Sequence, residues 1–204
     1  MIKDVLQVFA KAPKLGQVKT RLIPELGEKV ATDLHKQLVR HCLQQFSDLF
    51  SVQLWCAPDE YHPFFQACQR EFGVSLHRQQ GADLGERMAY ALASAAPMPA
   101  VLIGSDCPSL KAENIREAFA ALQQGYAVVL APAEDGGYVL IGLQQVRAEL
   151  FSEMPWGTSQ VLTETRARLG KLGLRWYELP TQWDVDRAED VERFVQDKSW
   201  TPKY

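Results

Sequence analysis

A basic segment near the amino end contains the residue types that most clearly suggest chemistry. Lys11, Lys14, Lys19 and Arg21 lie close together, and no acidic residue interrupts them. The whole chain carries a formal net charge of −3, so these cations form a local positive region rather than part of a generally basic surface. Fixed cations beside free backbone N–H groups are suited to a chain of phosphates. The segment therefore predicts binding of a phosphorylated ligand.

Asp106 is the first candidate metal ligand. It lies in the sequence Gly104-Ser105-Asp106-Cys107-Pro108, directly after an apolar run typical of a buried strand. Mg²⁺ and Mn²⁺ prefer oxygen ligands and readily bridge to a diphosphate. The alternative is an aspartate that caps the next helix, although Ser109 is also available as the N-cap. We favour the metal, because a phosphate-binding loop is predicted nearby.

A second carboxylate for the metal is predicted before the last helix. Asp184 and Asp186 are both available there, and we select Asp186. Glu189 follows Asp186 at the spacing of a capping box, which explains the pair without a ligand. Capping does not exclude metal binding, so both interpretations stay open.

A third motif opens the helix that is predicted from residue 84. Asp83 and Glu86 have the spacing of a capping box. Gly85 in the first turn costs stability, and the close approach of a ligand would justify it. Arg87 could then reach a phosphate or a ribose.

Asp135 is the candidate catalytic residue. It lies in Glu134-Asp135-Gly136-Gly137, between two β-rich runs, where Asp-Gly is a strong hairpin signal. The segment can be a turn and nothing more. The two glycines also leave space at the edge of a ligand site, where Asp135 could act as general base toward an acceptor hydroxyl.

Strand-like and helical segments alternate along the chain. Buried strands are predicted at residues 5–10, 52–57, 74–77, 100–104, 127–131, 138–143 and 174–179. Helices are predicted at residues 27–46, 63–72, 84–96, 112–124, 159–169 and from 187. This order predicts an α/β fold in a single domain spanning residues 1–204, with a mostly parallel sheet and one antiparallel strand. Ligands bind outside the carboxyl ends of such strands, which is where the motifs fall.

Composition excludes several classes of protein. The chain has 204 residues, of which 47% are hydrophobic and 23% charged, as in a soluble globular domain. The charge argues against a nucleic-acid partner, and no apolar run is long enough to span a membrane. Scattered cysteines and an amino end without a signal-peptide pattern predict a cytoplasmic protein. The spacing of the histidines does not fit zinc, and Cys107 has no nearby histidine to activate it, so packing is its expected role.

Taken together, the motifs resemble one family. Phe-x-Lys-x-Pro-x-x-Gly-x-x-Lys-Thr-Arg-Leu, Gly-x-Asp-Leu-Gly-x-Arg-Met, Gly-Ser-Asp-Cys-Pro-x-Leu, Glu-Asp-Gly-Gly-Tyr-x-Leu-Ile-Gly-Leu, Trp-Gly-Thr-Ser and Asp-Val-Asp occur in that order. They resemble the bacterial glycosyltransferases of the DUF2064 type, sometimes associated with arsenosugar biosynthesis. These belong to the nucleotide-diphospho-sugar transferase superfamily with the GT-A fold. The resemblance spans roughly residues 4–195.

The resemblance implies a three-layer α/β/α domain and a set of site residues. Asp106 would match the metal-binding aspartate of the superfamily, and Asp186 the carboxylate before the last helix. The phosphate-contacting loop would comprise Lys11, Gly16, Lys19 and Arg21. Many relatives have Thr-Pro where this chain has Arg187-Ala188. That difference changes the entry to the helix and leaves both carboxylates in place.

Three functions follow as hypotheses. The first is a glycosyltransferase that depends on Mg²⁺ or Mn²⁺, uses a nucleotide-diphosphate sugar and transfers the sugar to a small-molecule acceptor. The second is a nucleotidylyltransferase that joins a nucleoside triphosphate to a phosphorylated small molecule, since the Lys-Thr-Arg-Leu loop resembles the guanylyltransferase that activates 2-phospholactate. The third is a nucleotide-binding protein without catalytic activity. The sequence does not define the base, the sugar, the acceptor or the oligomeric state.

Overall fold

A seven-stranded sheet forms the centre of the protein, in a computed structural model that describes residues 4–196. The order of the strands in the sheet is β3-β2-β1-β4-β6-β5-β7. The strands are β1 (Val5–Lys11), β2 (Ser51–Ala57), β3 (Ser75–Arg78), β4 (Ala100–Gly104), β5 (Val128–Pro132), β6 (Tyr138–Leu143) and β7 (Trp176–Glu178). β6 runs antiparallel to both neighbours, β4 and β5, and the other pairs are parallel. The predicted fold, with its single antiparallel strand, is confirmed.

Helices cover both faces of the sheet. They are α1 (Ile23–Phe46), α2 (Pro63–Phe72), α3 (Leu84–Ala93), α4 (Ala112–Gln123), α5 (Val161–Lys171) and α6 (Ala188–Gln196). Apolar side chains of α1, α2 and α4 pack with one face, and those of α3 and α5 with the other. This gives the three layers expected for βαβ units. Within residues 4–196, no helix is both long and apolar enough to cross a bilayer.

The central strands form because their residues are apolar in unbroken runs. All five residues of β5 are buried, as are the first four of β4. Runs without polar alternation are typical of strands covered on both faces. The predicted bounds differ slightly from the observed ones. The largest differences are at α1, which begins at Ile23 rather than at residue 27, and at α3, which ends at Ala93 rather than at residue 96.

The carboxyl-terminal segment is held to the domain by a small core of its own. Phe194 of α6 is fully buried and joins Trp183 and Val185 in a cluster with Leu34 and Leu38 of α1. A Glu134–Arg193 ion pair and the stacking of that arginine on the indole of Trp183 add polar contacts on the surface. The acidic segment before α6 is therefore fixed in place by packing.

The first turn of α3 lies tightly under a distant loop. A Cβ atom on Gly85 would lie 2.6 Å from the carbonyl oxygen of Phe151 and 2.8 Å from the Trp156 indole nitrogen. The helix is capped as predicted, because the Asp83 carboxylate accepts a hydrogen bond from the amide of Glu86. Gly85 is thus required by contacts within the protein, which explain the glycine without the ligand that would also justify it.

Replacement of Gly85 by alanine should therefore destabilise the fold. We expect Gly85→Ala to lower the free energy of unfolding by about 1–3 kcal/mol, the usual cost of overpacking. Gly170→Ala is the matched control, since Gly170 is also helical and a methyl group there would contact nothing beyond the backbone of its own helix. Urea denaturation of both variants measures the difference. A Gly85→Ala protein as stable as Gly170→Ala would contradict this account.

Candidate functional site

The candidate site is a cleft at the carboxyl ends of β1 and β4. Asp106 follows β4, and Lys19 belongs to the loop that follows β1. The ammonium Nζ of Lys19 lies 2.6 Å from Oδ2 of Asp106 and 2.5 Å from the carbonyl oxygen of Val185. One lysine thus joins three segments that are far apart in the sequence.

The basic loop is shaped by local backbone geometry. Gly16 has a φ of 73°, and the amide of Gln17 donates to the carbonyl of Lys14, which makes a turn. His35 of α1 is buried, and its Nε2 lies 2.8 Å from the carbonyl oxygen of Lys11. Because a carbonyl only accepts, Nε2 must carry the proton. Burial lowers the pKa of His35, and the nearby Lys19 ammonium lowers it further, so this histidine is neutral.

The acidic segment docks onto the loop after β4. The amide of Val185 donates to the carbonyl of Asp106 at 2.9 Å. The Ser109 hydroxyl bonds to both the amide and the carbonyl of Trp183, each at 3.0 Å. The sequence offered Ser109 as the N-cap of the next helix. In the structure Ser109 does not cap that helix and instead holds the acidic segment in place. Buried Trp183 and Val185 alternate with half-buried acidic residues, so the acids project away from the core.

Asp186 is paired with the basic loop. Its carboxylate forms an ion pair with Arg21, and this hydrogen bond raises the pKa of the guanidinium. The predicted capping box of Asp186 with Glu189 is wrong. The Asp190 carboxylate instead accepts from the amides of Asp186 and Arg187, at 3.0 and 2.7 Å. The Asp186 side chain is therefore not used as a cap.

Asp106 and Asp184 differ in electrostatic environment. Burial acts to raise the pKa of Asp106, but the charge and hydrogen bond of Lys19 prevail and lower it. Asp184 has no side-chain hydrogen bond or ion pair within the described part of the chain. Burial, reinforced by the negative charge of Asp106, raises the pKa of Asp184 to about 7. The Lys19 ammonium partly offsets this rise in pKa, but Asp184, unlike its neighbours, has no ion pair of its own.

The donor set is suited to a hard divalent cation shared with a phosphate. Among residues 4–196, no cluster of three or more His, Cys, Asp or Glu side chains has the arrangement of a complete metal site. Mg²⁺ in nucleotide enzymes usually has only one or two protein carboxylates, with phosphates and water as the remaining ligands. Asp106 and Asp184, which has no ion pair of its own, would be these two carboxylates.

Asp135 lies at the exposed rim of this cleft. Its Oδ1 accepts from the amide of Gly137 at 2.9 Å. Its charge influences the pKa values of Arg21 and Asp184, so it faces the same cluster. The space beside Gly136 is filled by the backbone of Ser159, with which a Cβ atom would collide, rather than left open for a ligand.

A second, larger pocket adjoins the cleft. It has a volume of about 670 Å³, against about 390 Å³ for the cleft. Its basic lining residues are Lys11, Lys14, Arg78 and Arg87. Lys11, Gln17 and Gln79 line both spaces, so the two are continuous. The combined space suits an extended anionic ligand, and Arg87 is among the cations that line it.

Sequence reasoning missed several residues of this site. Arg78 and Gln79 end or follow β3, whose position at the edge of the site depends on strand order. The Gln79 amide donates to the carbonyl of Trp55 at 2.8 Å, which holds it between the pockets. The sequence offered both Asp184 and Asp186 as the second metal carboxylate and selected Asp186, which stays a prediction.

The environment of Asp184 predicts a dependence of stability on pH. An aspartate in an unfolded chain has a pKa near 3.9. Between about pH 4 and 7 the folded protein therefore binds more protons than the unfolded one, so Asp184 costs stability as the pH rises.

Asp184→Asn should remove this cost. Without divalent metal, its stability gain over the wild type should grow between pH 5 and pH 8, to about 1–2 kcal/mol after allowance for solvent screening. Urea denaturation at both pH values measures it. An equal difference at the two values would contradict the assignment.

Comparisons with known proteins agree with this architecture. The profile of the family DUF2064, described as "Uncharacterized protein conserved in bacteria", matches residues 38–158. No curated protein matches the chain. A structure from Desulfovibrio desulfuricans G20, provisionally named a nucleotide-diphospho-sugar transferase, has 28% sequence identity and a TM-score of 0.86. That match covers 100% of this chain and 90% of the other.

More distant structures share the fold. A cytidylyltransferase from Leptospira borgpetersenii has 15% identity and a TM-score of 0.64, with 100% of this chain and 89% of that chain covered. Glucosyl-3-phosphoglycerate synthase from Mycobacterium tuberculosis, solved with Mn²⁺ and UDP, has 12% identity and a TM-score of 0.52, with 97% and 77% covered.

The matches confirm the predicted transferase class, whereas the association with arsenosugars stays a prediction. Because the family profile spans more than half of the chain, this protein belongs to the DUF2064 family and has the fold of the nucleotide-diphospho-sugar transferases.

Proposed function

We propose that this protein is a metal-dependent glycosyltransferase that uses a nucleotide-diphosphate sugar. The observation that carries the proposal is the meeting of Lys19 and Arg21 with Asp106 and Asp186 in one cleft, with Asp184 near enough for its pKa to respond to Asp106 and Lys19. Cations for phosphate and carboxylates for a metal are the two requirements of a diphosphate leaving group.

The donor would lie along the two connected pockets. Lys19 and Arg21 would bind the diphosphate, because they lie nearest the carboxylates. The nucleoside would extend into the larger pocket, where Arg78 and Arg87 provide charge and hydrogen-bond donors. Lys11, at the junction of the two pockets, is positioned for the phosphate closer to the nucleoside.

Mg²⁺ or Mn²⁺ would be held by Asp106 and Asp184, with donor phosphates and water as further ligands. When bound, such an ion neutralises the charge that develops on the departing nucleoside diphosphate. Asp186 as a direct ligand stays a prediction, and its pairing with Arg21 favours Asp184 for that position. Asp186 would then orient the guanidinium toward the phosphates.

Asp135 would act on the acceptor. It is exposed at the rim, and the bond from the Gly137 amide fixes its orientation. A carboxylate in this place can accept the proton of an attacking hydroxyl. The acceptor would enter from the solvent side, opposite the nucleoside pocket.

Nucleotidylyl transfer is the second candidate. The basic lining of the larger pocket, added to Lys19 and Arg21, would also suit the greater charge of a triphosphate. The substrate phosphate would attack the α-phosphorus of the nucleoside triphosphate and release pyrophosphate. The same metal-binding carboxylates serve both reactions.

A ligand screen tests the common basis of both functions. Nucleotide sugars and nucleoside triphosphates, each with Mn²⁺ or Mg²⁺, should raise the melting temperature when they bind the folded state. Asp106→Asn should reduce metal-dependent turnover by on the order of a hundredfold or more, because an electrostatic group at the reacting centre is lost. Asp33→Asn, which removes a carboxylate on the outer surface of α1, is the control. Unchanged turnover and nucleotide affinity in Asp106→Asn would contradict the proposal.

Product analysis separates the two candidates. The glycosyltransferase should release a nucleoside diphosphate together with a glycosylated acceptor. Pyrophosphate together with a nucleotide-capped compound would instead identify a nucleotidylyltransferase. Mass spectrometry combined with a pyrophosphate assay distinguishes these outcomes.

A further inference from the structure

We propose that the Lys19 ammonium is the counterion of Asp106 in the ligand-free protein and prevents a divalent cation from binding this carboxylate until a phosphate ligand binds. In this scheme the nucleotide binds first, draws the ammonium to its phosphates and thereby frees the carboxylate for the metal. The inference rests on the proposed function, since it requires a phosphate ligand. It adds the order in which nucleotide and metal bind, and it assigns a second role to Lys19 of the basic loop.

The position of the Lys19 ammonium is the first observation. Nζ contacts both Asp106 Oδ2, at 2.6 Å, and the Val185 carbonyl, at 2.5 Å. The Lys19 side chain is only 7% exposed, although lysine is among the residues least often buried. The ammonium thus lies within the carboxylate cluster itself rather than at its rim.

The backbone of Lys19 gives an independent indication. Its φ and ψ are 48° and 43°, in the left-handed region that residues other than glycine seldom adopt. Such a conformation costs energy and persists where the surrounding contacts impose it, which is a recognised feature of ligand and switch sites. Its carbonyl accepts a hydrogen bond from the amide of Leu22, and the other two contacts that hold Lys19 here are made by its ammonium group. A phosphate that competes for Nζ would weaken this constraint.

Charge repulsion explains why the ammonium and a metal compete. A divalent cation bound to Asp106 would lie within a few ångströms of Nζ, where like charges repel strongly even at the dielectric constant of water. In the ligand-free protein, Lys19 and Arg21 offset two of the three carboxylates Asp106, Asp184 and Asp186. Asp184 is the one of these three carboxylates without an ion pair.

Arg21 does not have this role. Its side chain is 60% exposed, and it pairs with Asp186 at the outside of the cluster. It can therefore turn toward phosphate without uncovering Asp106. The effect should be specific to Lys19 and not shared by every cation of the loop.

A metal titration without nucleotide tests the inference. Mn²⁺ binding to the full chain is measured at pH 8 by electron paramagnetic resonance, for the wild type and for Lys19→Met. Loss of the ammonium should tighten Mn²⁺ binding by about tenfold or more, from the repulsion that is removed. Lys29→Met is the control for net charge, because Lys29 is an exposed residue of α1. It should bind Mn²⁺ like the wild type.

Equal Mn²⁺ affinity in Lys19→Met and Lys29→Met, or no Mn²⁺ binding by any of the three proteins, would overturn the proposal. If circular dichroism shows that Lys19→Met does not fold, Lys19→Gln replaces it with the same expected direction. No nucleotide is present in the titration, so its result does not depend on the donor screen. A negative donor screen with a positive titration would refute the proposed function and leave the metal competition intact.

Discussion

The contact between the loop after β4 and the segment before α6 is the constraint on which the site depends. It is made by the backbone bond between Val185 and Asp106 and by Ser109, which holds Trp183. This contact brings carboxylates together in a half-buried place, where their mutual repulsion raises the free energy of the fold. Lys19 offsets that cost by bonding to both segments at once. The charges that affect the stability of the fold are therefore the same ones that would bind the ligand.

Strand order makes that contact possible. β1 and β4 are neighbours in the sheet although about ninety residues separate them, so the loops that follow them open onto one cleft. The chain then returns through β6, which pairs antiparallel with β4. The packing of Phe194 against α1 places the acidic segment beside the loop that follows β4. Binding at such a point, outside the carboxyl ends of the strands, is general for open α/β sheets.

The parts of this arrangement that were predictable are those encoded locally. Apolar runs defined the strands, and the basic loop and Asp106 could be placed because they follow strands that were identified with their ends. Contacts between distant segments were not predictable. Gly85 is required by Phe151 and Trp156, more than sixty residues away, and the choice between Asp184 and Asp186 depends on which one meets Arg21. The carboxylate of Asp190, rather than that of Asp186, accepts hydrogen bonds from the free backbone amides before α6. The spacing of residues in the sequence does not define this detail of backbone geometry.

The proposed phosphate site and the proposed metal site therefore have different origins in this chain. The cations nearest the carboxylates come from one continuous loop, so the proposed phosphate affinity would be largely a local property of the sequence. The carboxylates come from separate segments and meet only when α6 packs on α1. A change in that packing would separate Asp184 from Asp106 and leave the basic loop as it is. Affinity for phosphate can consequently persist in a chain that has lost the ability to hold a metal, so nucleotide binding alone is a weak indicator of catalysis in this fold.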